Sequence, residues 1–188
     1  MRGIFVMFEY KNTFNGDNRY EVLPEFFELE TKLSMWRNLE KQLGPGASEP
    51  PFVDNDGYQV FCIGGLAYRI GTSEDRLNLS TQEPDRGTLA VAGRFNRRFE
   101  IGKYLVWKAG ESLRAAAGVT RVSAPWFSQG VNGLVESVDD GYVKTIFLQG
   151  QEESACTFAY MEAIRFSHVM PMSMPELEDV LRAGLPHA

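Results

Sequence analysis

Apolar residues recur along this chain at two periods, and the alternation between the periods lays out its elements. Over residues 24–43, Phe26, Leu29, Leu33, Trp36 and Leu43 share one helical stripe, broken only by Glu40. Pro24 suits a first turn, Glu25 and Glu28 favour the positive N-terminal end, and Lys41 favours the negative end. Glu28 and Lys32 are spaced to pair at i, i+4. Gly44-Pro45-Gly46 stops the stripe, and residues 44–51 read as a polar connector, the one candidate for a lobe boundary.

A period of two marks the strands. Residues 3–10 are rich in Phe, Ile, Val and Tyr and read as a strand, followed by turn material at 12–18. Residues 58–70 predict a β-hairpin closing at Gly64-Gly65, with Ile63 opposite Leu66 and Phe61 opposite Tyr68 on one face. Arg69 then points to the other face. Leu77 and Leu79 alternate with polar residues, 83–87 is a turn, and 88–92 and 119–124 are short strand candidates. Residues 134–138 and 142–148 flank Asp139-Asp140-Gly141, which suits a three-residue hairpin loop. Helices are expected over 104–117, capped by Gly118, and after the capping box Ser173-Met174-Pro175-Glu176, closed by Gly184. Residues 154–168 fit either a helix or a strand. Strands in hairpins, with helices near both ends and one mid-chain, predict an α+β fold on a mainly antiparallel sheet. All 188 residues are expected in a single globular domain.

Composition narrows the chemistry. The chain is 44% hydrophobic and 23% charged, and a chain this long buries roughly 70% of its unfolded surface. Thirteen Phe, seven Tyr and three Trp supply both core and interface anchors. The formal net charge of −6 argues against a general nucleic-acid binder and for a partner with a basic surface. Two cysteines, Cys62 and Cys156, make no disulfide framework, and no apolar run approaches a membrane span. A reducing, cytoplasmic setting is the expectation. Two histidines, His168 and His187, leave little material for acid–base or metal chemistry.

The motif inventory is correspondingly thin. Gly110-Glu111-Ser112-Leu113-Arg114 lacks the second glycine of a nucleophile elbow. Gly102-Lys103-Tyr104 lacks the rest of a phosphate loop. Asp54-Asn55-Asp56-Gly57 has half the pattern of a calcium loop, without the downstream glutamate, and reads as a turn before the hairpin. No pair of His or Cys has ligand spacing, so no metal and no cofactor is expected. Arg94, Arg97, Arg98, Lys103 and Lys108 form a basic cluster interrupted by Glu100 and Glu111, best read as a salt-bridged surface.

Leu66-Ala67-Tyr68-Arg69 followed by Gln151-Glu152-Glu153 resembles the arginine strand and Gln-x-Glu turn of mono-ADP-ribosyltransferases. The resemblance implies NAD as cofactor, Arg69 contacting it, and Gln151 and Glu153 at the ribosyl-transfer site. The family's Ser-Thr-Ser strand is absent, with Val122-Ser123-Ala124 in its place. The sequence therefore supports first a non-enzymatic module that binds and occludes another protein: an inhibitor, an immunity-type protein or a phage or mobile-element accessory. The transferase is the alternative, and a structural subunit of an assembly, including a homo-oligomer, the third.

Overall fold

The computed structural model describes residues 22–43, 49–73, 76–82 and 89–185. The expected strand at 3–10, the turns at 12–18 and 83–87, the connector over 44–48, and His187 lie outside the described residues. A 3-10 turn at Pro24–Phe26 leads into α1, Phe27–Leu43. Five strands follow: β1 (Phe52–Val53), β2 (Gln59–Ile63), β3 (Leu66–Ser73), β4 (Arg76–Gln82) and β5 (Leu89–Phe95). Then come α2 (Arg98–Ala116), a short α3 (Trp126–Gln129), and strands β6 (Val135–Asp140), β7 (Val143–Leu148) and β8 (Gln151–Ala159). The chain closes with α4 (Tyr160–Val169) and α5 (Met174–Arg182). The strands form one eight-stranded antiparallel sheet in the order β1-β2-β3-β4-β5-β8-β7-β6. The α+β class, the hairpin construction and the placement of helices at both ends and mid-chain all match the sequence pattern.

The helices cover one face of that sheet. α2 packs on β2 and β5, α4 on β7 and β8, while α1 and α5 pack against α2. Inward residues Phe61, Tyr68, Leu79, Phe95, Ile146 and Phe158 are buried with Trp36, Tyr104, Leu105, Trp107 and Phe166 from the helices. The centre is aromatic: Phe95 meets Phe158 edge-on at 5.2 Å, and Tyr104 stacks on Phe158 at 5.4 Å. Tyr104 keeps its hydroxyl satisfied by donating to Glu162 at 2.7 Å, as a buried phenol requires. Gly110, which weakens α2 as an isolated helix, has a packing reason. A Cβ there would lie 2.7 Å from Leu181 Cδ1, so glycine lets α5 close on α2.

The hairpin at Gly64-Gly65 forms as expected, with φ of 56° and 82° and the pairs Phe61–Tyr68 and Ile63–Leu66 in register. Ser173 caps α5 with the reciprocal Glu176 contact, and Gly118 and Gly184 have positive φ after α2 and α5. Several details differ. Residues 119–121 are irregular and 122–124 form turns, with no strand; Pro125 follows, and the Ser123 N–H goes to Glu111 Oε1 at 2.9 Å instead of to a sheet partner. The second hairpin closes in two residues, Gly141-Tyr142, because Asp139 and Asp140 still pair with Lys144 and Val143. Residues 154–168 are neither one helix nor one strand: β8 runs to Ala159 and α4 starts at once. α2 begins at Arg98, before the expected start, since Ile101 also belongs to its buried face. Lys32 bonds Glu178 on α5 at 3.2 Å and not Glu28, tying the terminal helices together.

Candidate functional site

Among the described residues all the helix packing is on one side and leaves the other face of the sheet open, and side-chain alternation decides what that face displays. Val138, Thr145, Thr157, Arg94, Asn78 and Gly71 are successive register partners across six strands on this outer face. Ser80, Val91 and Arg69 form part of a neighbouring row. The outward side chains are exposed or half-buried, Val60 at the β2 edge being a buried exception. A one-sided antiparallel sheet of this kind is stable because its inner face alone carries the core.

At the β3–β5 end lies a hollow of about 360 Å³ lined by Tyr58, Arg69, Asn78, Ser80, Val91 and Arg94. Its floor and wall are built locally. Asp54 Oδ1 accepts from the Asp56 and Tyr58 N–H groups at 3.0 Å, closing the turn that the Asp-Asn-Asp-Gly string suggests, and Gly57 has φ of 82°. That turn brings Tyr58 against Gly71, where a Cβ would stand 2.1 Å from the ring's Cε1. Arg69 stacks on the same ring at 4.7 Å and donates to Asp54 at 2.7 Å and Asp56 at 3.0 Å. Burial works against its charge, but the hydrogen bonds and charges of Asp56 and Asp54 outweigh it and raise its pKa above the ordinary value. Arg94, by contrast, is exposed on the same face and has no ion pair among the described residues.

The other sequence candidates scatter. Gln151 and Glu153 are the first residues of β8, not a turn, and Glu153 reaches Arg97 at 3.4 Å. Arg69 and Glu153 stand on β3 and β8 with β4 and β5 between them, roughly 14 Å of sheet before any offset along the strands. The structure does not bring them together. Val122-Ser123-Ala124 lies in turns beside α2. The basic cluster is likewise dispersed: Arg97 binds Glu100, Arg98 pairs with Glu25 at 3.7 Å, and Lys108 pairs with Glu162. Lys103 is buried and donates to the Met170 carbonyl at 2.6 Å, and that burial lowers its pKa. Cys156 is buried and Cys62 half-buried, both as free thiols; burial raises Cys62 to about 11. His168 stacks on Trp126 at 5.4 Å with Nε2 2.9 Å from the Gly130 carbonyl oxygen. Among the described residues no His, Cys, Asp and Glu side chains gather as metal ligands. No described helix is long and apolar enough to cross a membrane.

What sequence reasoning missed is the edge opposite the hollow. β6 is the last strand of the sheet, and after Val135 every residue of it is exposed. Tyr142 at the β6–β7 turn is 96% exposed, and Val138 and Val143 are exposed beside it. The signal was present in the strand pattern, which is apolar at Val138 and Tyr142 at positions the core does not need.

The model of the family Imm61, immunity protein 61, matches residues 47–183. The chain belongs to this family. The match spans the whole sheet and all helices after α1, so the open face belongs to the family part of the chain. An immunity-type, protein-binding role follows. Among solved structures the chain is similar to "Rv3902c from M. tuberculosis", with 14% identity and a TM-score of 0.62 over 82% of this chain and 87% of that one. At that identity the likeness is one of fold. A search of curated proteins matches nothing to this chain.

Proposed function

We propose that this immunity-family protein acts without catalysis, by binding a harmful protein and occluding its working surface with the open face of the sheet. The observation that carries the reading is the family match over residues 47–183. The geometry supports it: one face of an eight-stranded sheet is left bare, with apolar side chains exposed at the β6–β7 end. Monomers do not ordinarily leave such surfaces without a partner to cover them.

The partner surface is basic. The chain carries 25 Asp and Glu against 19 Lys and Arg, and Glu136 and Asp140 stand exposed on the open face. Opposite charge steers association, so the association rate falls as salt rises while the dissociation rate changes little. The two free thiols fit a reducing compartment, hence action in the cytoplasm. The test is co-expression of the chain with the partner it protects against. A stoichiometric complex in which the partner loses its activity supports occlusion. A complex in which the partner stays fully active sinks it and favours the structural-subunit reading.

A further inference from the structure

We infer that the β6 edge and the β6–β7 turn form the contact at the centre of that interface, with Tyr142 filling a pocket in a lysine- and arginine-lined surface of the partner; this rests on the protein-binding reading above. Tyr142 follows Gly141, whose φ of 62° closes the two-residue turn. At 96% exposure it supports nothing in the fold. Val138 and Val143 lie diagonally on the outer face, 57% and 37% exposed, and extend the apolar area towards Thr145. A fully exposed tyrosine beside two β-branched residues has the composition of an interface anchor: large area, little side-chain entropy to lose, and one polar end.

Charge decides which occupant fits. The hairpin carries Glu136, Asp139 and Asp140 but a single cation, Lys144. Lys144 is itself buried, ion-paired to Asp139, and lies 5.1 Å over the Tyr160 ring. Glu136 and Asp140 therefore project on the outer face, each opposite an uncharged partner, Phe147 and Val143. A sheet edge that no other described strand joins, as at β6, invites pairing with another strand, and charges along it are the usual guard. Here the guard is all of one sign. A second copy of β6 would set carboxylate against carboxylate, whereas a basic surface gains from each of them. The edge thus rejects its own copy and selects a cationic partner of a different kind.

The experiment places a benzophenone amino acid at position 142, and separately at positions 99 and 127, in the full chain expressed in its native host. Phe99 on α2 and Phe127 on α3 are exposed aromatics on the helical side and serve as controls. The expected result is one heterologous adduct from position 142, joined through a partner peptide rich in Lys and Arg. Tyr142→Ala should then bind the isolated partner at least about thirtyfold more weakly, while its melting temperature stays unchanged. Tyr142→Phe should keep most of the affinity. Adducts from 99 or 127 but not 142 overturn this inference and leave the protein-binding reading standing. So does an adduct with a second copy of the chain, a contact peptide without basic residues, or a Tyr142→Ala affinity within threefold of the original. No heterologous adduct from any position overturns both.

Discussion

Gly110→Ala sets two opposing terms against each other, and the structure decides the sign. In an exposed helix interior the change would stabilise by about 1 kcal/mol, because alanine restricts the unfolded chain and favours the helix. At Gly110 the added methyl would stand 2.7 Å and 2.8 Å from the two Cδ atoms of Leu181 and 2.9 Å from its Cβ. A rotamer change can move the first two away but not the Cβ, so α5 itself has to shift. That shift is resisted, because Arg114 donates to the Leu181 carbonyl at 3.0 Å and also to that of Ala183, pinning the end of α5. Overpacking of this kind costs about 1–3 kcal/mol, so that against the propensity gain the net loss reaches about 2 kcal/mol. In a chain of this size that lowers the melting temperature by up to about 8 °C. Leu181→Ala alone should destabilise by about 2–5 kcal/mol through the cavity it leaves. In the double variant the two Cδ contacts are gone, and the cavity gives α5 room to shift away from the remaining Cβ contact, so the combined loss should fall short of the sum. Thermal and urea melts of the four proteins measure this. A Gly110→Ala protein that melts higher than the original, or strictly additive losses, would refute the packing argument.

Three further expectations follow from the same structure. Trp36, buried in the core and backed by Arg182 at 5.6 Å, should cost about 3–5 kcal/mol when changed to alanine, and an unchanged melt would place its stripe outside the core. Cys62, with its pKa raised from 9.0 to about 11, should be alkylated at pH 8 about tenfold more slowly than an ordinary thiol, the scarcer thiolate being partly offset by its greater nucleophilicity. Between those pKa values the folded state holds a proton the unfolded state has lost, so stability should fall as pH rises above about 9, and Cys62→Ser should lessen that fall in urea melts. Arg69→Ala and Glu153→Ala should both retain partner neutralisation, and incubation with labelled NAD should transfer no label. Loss of activity in both variants, with folding and partner binding intact, would instead favour the transferase reading.

How much of this was readable in advance varies with the range of the interaction. The Gly64-Gly65 hairpin, the Ser173 capping box and the α1 stripe depend on residues a few positions apart, and each formed where the pattern put it. The pattern failed where a distant partner decides. Residues 119–124 have the apolar content of a strand but pair with no described strand, and Glu111 takes the Ser123 N–H. Residues 154–168 fit a helix or a strand by themselves, and the stretch to Ala159 becomes strand because β7 and β5 flank it.

Residues close together in the chain set the class: period-two runs joined by tight turns, and helices carrying their own caps. Which surface stays bare is a matter of long-range docking. Alternation states that a strand has two faces, but which one the helices cover, and so whether Val138, Tyr142 and Arg94 meet the core or water, depends on how α2 and α4 dock on a sheet whose strands lie far apart in the chain. The separation of Arg69 from Glu153 has the same origin, since β8 is paired directly to β5 across the whole α2–β7 excursion and no local pattern encodes that pairing.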